Sequence, residues 1–122
     1  MKFFVLLLCL VGLAPVFGQQ QTREADFDIR FEPSAVLQTG VEIPFKITVK
    51  NTLHQPVHGA AVTLQIETSA HEHTKVFRAT ETDTGTYVAK PLFPVSGQWN
   101  VYVEVRRDDE MSARTIEFNV PK

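Results

Sequence analysis

The chain has 122 residues, 43% of them hydrophobic, and a formal net charge of −2 at pH 7. This length suffices for one domain with one core and excludes a TIM barrel or a two-lobed enzyme. The mildly acidic balance argues against binding to nucleic acid or to an anionic membrane surface, because both need clustered Lys and Arg.

The first segment, residues 1–18, has the pattern of a secretory signal peptide. A positive start at Lys2 precedes fifteen uncharged, mainly apolar residues, which include Pro15 and end before Gly18. This stretch is shorter than the roughly 20 apolar residues of a transmembrane helix. We therefore expect a secreted or periplasmic protein, which would contact a membrane only if the segment were retained as an anchor.

Cleavage after Gly18 would leave a domain without cysteine. The single cysteine, Cys9, lies in the predicted signal peptide, so no disulfide is available and the core alone must stabilise the remaining 104 residues. With Lys2 removed, eleven basic and fourteen acidic residues give a formal charge of −3. The polar residues 19–25 are predicted to be a flexible tail.

Residues 26–122 are dominated by apolar and polar residues that alternate with period two. This alternation predicts strands with one buried face, clearly at residues 27–31, 41–50, 62–67, 99–106 and 115–120, and more weakly at 74–80 and 86–90. Turn residues separate the runs at intervals of roughly ten residues, as in β-sandwiches. The predicted fold class is therefore all-β, an immunoglobulin-like antiparallel β-sandwich of about seven strands.

Individual residues give sharper expectations within this fold. Phe45 and Trp99 are predicted to be the largest parts of the core, because each lies on the apolar side of its strand. Tyr87 is expected to bury its ring and to direct its hydroxyl to a backbone group near a corner. Pro44 cannot donate a hydrogen bond to a ladder, so it is expected at a sheet edge or a bulge.

Three short motifs punctuate the strands: Pro-x-x-Gly-Ala-x-Val at 56–62, Gly-x-Tyr at 85–87 and Gly-x-Trp at 97–99. Together with the surrounding framework they resemble the YtkA-like domain, which is similar to FixH. The resemblance implies a small exported or membrane-anchored bacterial module with an immunoglobulin-like fold. FixH-type proteins are associated with cation pumps and with the assembly of copper-containing oxidases. Family members often carry Met and His after the third strand, where residues 69–75 here hold two histidines and no methionine.

All four histidines lie within residues 54–73. His71 and His73 are two residues apart, so in a strand they would share a face and could both reach one Cu(II) or Zn ion. His54 and His58 lie before the third strand, about 25–30 Å from the other pair, so one ion cannot bind all four. The alternative is that the four are surface loop histidines without a ligand.

The chain lacks the usual sequence signatures of an enzyme. The predicted mature part has no Cys nucleophile, no Gly-x-Ser-x-Gly and no His-Glu-x-x-His motif. The first hypothesis is thus a non-enzymatic exported module that binds an unknown protein partner, with no cofactor. The second is a periplasmic copper- or metal-handling protein with a weak site at His71 and His73, and the third is a hydrolase with an unrecognised site. An exposed sheet edge would allow strand addition, either at the strand of Pro44 or at the last hairpin.

Overall fold

The computed structural model describes residues 23–122, so the predicted signal peptide at 1–18 and residues 19–22 lie outside the described part. Nine strands form within it, and the bounds of β1 to β9 in chain order are Arg23–Glu24, Asp28–Pro33, Phe45–Lys50, Ala61–Thr68, Lys75–Arg78, Thr80–Asp83, Thr86–Ala89, Gly97–Arg107 and Glu110–Val120. In residues 23–122 there is no helix with the length and hydrophobicity needed to span a membrane.

The strands form two sheets that pack face to face. One sheet has the order β1-β9-β8-β4-β5 and the other β2-β3-β7-β6. Every pairing is antiparallel except the short parallel contact of β1 with β9. The order β2-β3-β7-β6 corresponds to strands A-B-E-D of an immunoglobulin domain, and β9-β8-β4 corresponds to G-F-C. The predicted immunoglobulin-like β-sandwich is confirmed.

The structure has more strands than the seven expected, for two reasons. The run predicted at 74–80 is not one strand, because the chain passes at Ala79 from β5 in one sheet to β6 in the other. The tail predicted at 19–25 is wrong at Arg23–Glu24, because these residues pair with Glu110–Met111 as β1.

The core consists of the apolar residues on the inner faces of the strands. Phe45 and Trp99 are both fully buried and are among its largest side chains, as predicted. Phe93 packs between them, with ring centroids 6.2 Å from Phe45 and 5.3 Å from Trp99. The Tyr87 hydroxyl donates to the carbonyl of Val57 at 2.7 Å and accepts from the amide of Ala60 at 3.0 Å, which confirms the predicted role of this tyrosine.

Pro44 lies just before β3, not within it. Its carbonyl accepts a hydrogen bond from the amide of Ser34 at 2.8 Å, and the β3 ladder begins one residue later at Phe45. Because β3 lies between β2 and β7, and its pairing with both is regular, the predicted sheet edge or bulge at Pro44 is wrong. The strand after Pro44 is therefore not a place for strand addition.

Candidate functional site

The last strand, β9, is the outermost long strand of its sheet. Its eleven residues pair with β8 along their whole length without a register shift. On its other side, β1 covers only Glu110–Met111. Among residues 23–122, no strand or bridge pairs with residues 113–120 on this side. We call residues 113–119 of β9 the open edge.

The direction of the backbone groups in the open edge follows from two hydrogen bonds near its start. The amide of Arg23 donates to the carbonyl of Asp109, and the amide of Ala25 donates to the carbonyl of Met111. In an antiparallel strand, alternate residues direct both the N–H and the C=O to the same side. Because the pairing with β8 is regular, the residues that direct these groups away from β8 at the open edge are Ala113, Thr115, Glu117 and Asn119.

A groove of about 690 Å³ beside the open edge is lined by residues of β9, β2 and β3. Arg114, which lines it, donates from Nη1 to the carbonyl of Ile29 at 2.7 Å, so the carbonyl of Ile29 at the edge of β2 is already bonded. Arg30 and Asp28 also line the groove and form an exposed ion pair at 3.3 Å, which contributes little to stability. Polar and charged groups thus border the open edge, in a groove that the half-buried Ile116 also lines.

Ser112, just before the open edge, is the buried polar residue of the described chain. Its hydroxyl donates to the carbonyl of Ala25 and accepts from the amide of Phe27 at 3.2 Å. These bonds fix the segment between β1 and β2 against β9. Both hydrogen bonds of the Ser112 hydroxyl are thus made to the backbone of this segment, so its role is structural.

His71 and His73 do not lie in a strand, although the predicted metal site assumed that they do. Both adopt positive φ, at 63° and 56°, in the loop between β4 and β5. Thr68 closes this loop: its amide donates to the carbonyl of Glu72 at 3.0 Å, and its hydroxyl accepts from the amide of Glu72 at 2.8 Å. The shared strand face expected for the two imidazoles is thus wrong.

The two imidazoles have different neighbours in this loop. His71 Nδ1 lies 3.3 Å from Oε2 of Glu67, whereas the His73 ring packs 6.4 Å from the ring of Trp99 in a pocket of about 260 Å³. Sequence analysis missed Glu67, although its separation of four residues from His71 across a turn was a usable signal. No group of three or more His, Cys, Asp or Glu side chains suited to a metal occurs in residues 23–122.

The other two histidines lie at the opposite end of β4. His54 is in the loop after β3 and also has a positive φ, 61°. His58 Nδ1 lies 3.0 Å from Oε2 of Glu81. The Glu81 carboxylate also accepts from the amides of Gly85 at 3.0 Å and Gly59 at 3.1 Å, and we call these four residues the Glu81 cluster.

Hydrogen bonding in the Glu81 cluster favours the ionised carboxylate. The amide of Gly85 is the main cause that lowers the pKa of Glu81, with smaller contributions from His58 and the amide of Gly59. The cluster joins the segment before β4 to the turn between β6 and β7. His58 is therefore part of a structural contact and is not a free ligand.

The fold and these surfaces define a small all-β module of immunoglobulin-like architecture. The YtkA-like family model matches residues 19–104, and the chain belongs to this family. It is also similar to the sulfur carrier protein SoxY from Chlorobium limicola f thiosulfatophilum, with 16% identity, a TM-score of 0.47, and coverage of 93% of this chain and 96% of that one. No curated protein matches the chain. The likeness to FixH remains a prediction.

Proposed function

We propose that this protein is an exported, non-enzymatic accessory module that binds another polypeptide by strand addition at the open edge of β9. The observation that supports this proposal is the set of four residues whose N–H and C=O groups point away from β8, namely Ala113, Thr115, Glu117 and Asn119. An extended partner segment can form main-chain hydrogen bonds with such a row. Secretion or a periplasmic location rests on the sequence of residues 1–18.

The open edge lacks several of the devices with which proteins block strand addition, and of its two charged residues Arg114 is bonded to the carbonyl of Ile29. Edge strands are normally kept short or are interrupted by Lys, Pro or a bulge. Residues 113–120 contain no Lys and no Pro, and the pairing of β9 with β8 has no bulge. By contrast, the edge strands β5 and β6 have four residues each. The edge strand β2 has six residues, ends at Pro33, and its Ile29 carbonyl is bonded to Arg114. The open edge is therefore the surface of the described residues best suited to a partner chain.

Site-specific photocross-linking in the producing cell tests this proposal. A photoreactive amino acid replaces Thr115 at the open edge, and the matched control replaces Thr80 on β6, an exposed threonine on the opposite side of the sandwich. We expect a discrete cross-linked product from position 115 and none from position 80. Glu117→Pro should abolish the product, because it removes an outward N–H. Equal products from both positions, or none from 115, would refute the proposal.

A second candidate function is weak binding of Zn or Cu(II) at the loop that carries His71 and His73. In a tetrahedral site with bonds of about 2.0–2.1 Å, two ligand atoms lie roughly 3.3 Å apart. The distance between His71 Nδ1 and Glu67 Oε2 is 3.3 Å, so these atoms have the spacing of two ligands to one ion. This observation favours Glu67 and His71 as the ligands, whereas His73 stays a ligand predicted from the sequence alone.

Calorimetric titration with Zn and with Cu(II) tests the metal candidate. Binding heat should fall in His71→Ala and in Glu67→Gln, and it should persist in His54→Ala, which changes a histidine of the distant loop. A decrease in His73→Ala as well would add this residue to the ligands. Unchanged heats in the double variant of His71→Ala and His73→Ala would reject a metal site in this loop.

A further inference from the structure

We infer that the segment that binds the open edge is the same segment of a second copy of this chain. The two β9 strands would then run antiparallel and join two five-stranded sheets into one continuous sheet. This inference rests on the proposed function, because it names the partner at the same edge. Symmetry, the unpaired length of β9 and the charges along it support this pairing.

Symmetry restricts the ways in which two copies of β9 can pair. A two-fold axis that pairs identical strands antiparallel must be perpendicular to the sheet, so each sheet face continues onto the same face of the other copy. Residues directly opposite each other therefore have side chains on the same face. Because side chains alternate between faces along a strand, two opposite residues are both odd-numbered or both even-numbered. The outward N–H and C=O groups belong to odd-numbered residues, so odd residues pair with odd residues and exchange both hydrogen bonds.

The unpaired length of β9 and the charges along it select one of the registers that symmetry allows. With Ile116 on the axis, Thr115 lies opposite Glu117 and Ala113 lies opposite Asn119, so all four outward residues are used. With Glu117 on the axis, two carboxylates of equal charge are directly opposite, which is unfavourable. With Thr115 on the axis, Asn119 lies opposite Met111, which β1 already covers. Centring the pair on Phe118 or Asn119 places an outward residue opposite Pro121, which has no N–H. The register centred on Ile116 is the one that uses all four outward residues and avoids these conflicts.

The inner face of the strand agrees with this register. Ile116 would pack against Ile116 of the other copy, and Arg114 would lie opposite Phe118. These positions form non-hydrogen-bonded pairs, in which side chains approach most closely. In the single chain both Ile116 and Phe118 are only partly buried although they pack against the core. Pairing of the two copies would cover this remaining apolar surface.

Opposite substitutions at position 115 test the inference by sedimentation velocity of the full chain purified after export. The wild type should approach twice the monomer mass as concentration rises. Thr115→Glu places a second carboxylate opposite Glu117 in both symmetric pairs and should weaken the dimer roughly fivefold, whereas Thr115→Lys should strengthen it by a similar factor. The controls Thr80→Glu and Thr80→Lys, on the opposite side, should leave the dimer unchanged. Circular dichroism verifies that each variant is folded.

Three outcomes would overturn the inference. They are a wild-type protein that stays monomeric at all concentrations, substitutions at position 115 that act in the same direction, and an equal response to the substitutions at position 80. A monomeric protein that still gives a discrete photocross-link from position 115 to a different protein would reject the second copy as the partner. That result would leave the proposed function intact, so the two failures can be told apart.

Discussion

The two sides of the sandwich are built differently. On one side the chain itself joins the sheets, because β5 and β6 are separated only by Ala79 and belong to different sheets. The amide of Ala79 donates to the carbonyl of Val62 at 2.9 Å and fixes this crossing. On the other side β2 and β9 come from opposite ends of the domain, and side chains such as Arg114 span the gap.

This difference shows how the fold keeps one edge available. A crossing within the chain limits both strands beside it to four residues, which is too short a ladder to hold a partner firmly. On the other side, where side chains and not the chain itself connect the two sheets, strand length is not limited in this way, and β9 has eleven residues. The Glu81 cluster strengthens the first side further. We therefore expect substitutions on the joined side to change stability and those at the open edge to change association.

A large effect is expected at the turn of the joined side. Gly85 has a φ of +80°, and a Cβ placed there would lie 2.5 Å from Cβ of Pro56. Gly85→Ala should therefore lower the free energy of unfolding by about 3 kcal/mol, through backbone strain and overpacking. Gly40, with φ +78° and no atom within 4 Å of such a Cβ, is the matched control and should cost about 1 kcal/mol. Urea unfolding measures both, and equal costs would contradict the close contact with Pro56.

A smaller loss is expected when the Tyr87 hydroxyl is removed. Tyr87→Phe leaves the carbonyl of Val57 and the amide of Ala60 without this partner, which should cost about 2 kcal/mol of unfolding free energy. In Tyr102→Phe the lost bond is a long one, 3.4 Å from the hydroxyl to Glu104, and a cost below about 0.5 kcal/mol is expected. Denaturant midpoints for both variants check the prediction, and a larger loss for Tyr102→Phe would contradict it.

The Glu81 cluster should make stability depend on acid pH. The pKa of Glu81 is lowered in the folded state from an ordinary value of 4.5, mainly by the amide of Gly85. The carboxylate thus contributes stability that is fully present above about pH 4.5 and is lost as the pH falls through the folded pKa. The melting temperatures of the wild type and of Glu81→Gln should differ at pH 6, and the difference should shrink as the pH falls below about 4.5. Glu32→Gln, at an exposed carboxylate, is the control, and a difference for Glu81→Gln that stays constant with pH would contradict the prediction.

Alternation of residues along the chain was enough to predict the fold class and the main core residues. Phe45, Tyr87 and Trp99 are buried as expected, because a period of two assigns each residue to a face. The same period continues through Phe77, Ala79 and Glu81, so it could not show that the chain changes sheets between them. Which face is buried is a local property, whereas the choice of sheet depends on distant strands.

The candidate sites were harder to predict for the same reason. The positive φ of His71 and His73 comes from a loop closed by Thr68 and Glu72, and no residue pattern marks it. Pro44 suggested an edge, but a proline just before a strand is tolerated in the middle of a sheet because the ladder starts after it. The last hairpin was correctly considered for strand addition, yet its free side could be identified only from the pairing of β1 and β9.

A small change in stability is expected when an outward N–H of the open edge is removed. Thr115 directs its N–H away from β8, so Thr115→Pro removes no internal hydrogen bond and should cost less than about 1 kcal/mol. The adjacent Ile116 directs its N–H toward β8, so Ile116→Pro should cost about 3 kcal/mol or more. Urea unfolding at a low protein concentration, where association does not contribute, measures this contrast. Because the two residues are neighbours in the same strand, equal costs would mean that the outward direction assigned to Thr115 is wrong, and the open edge would lose its main-chain donors.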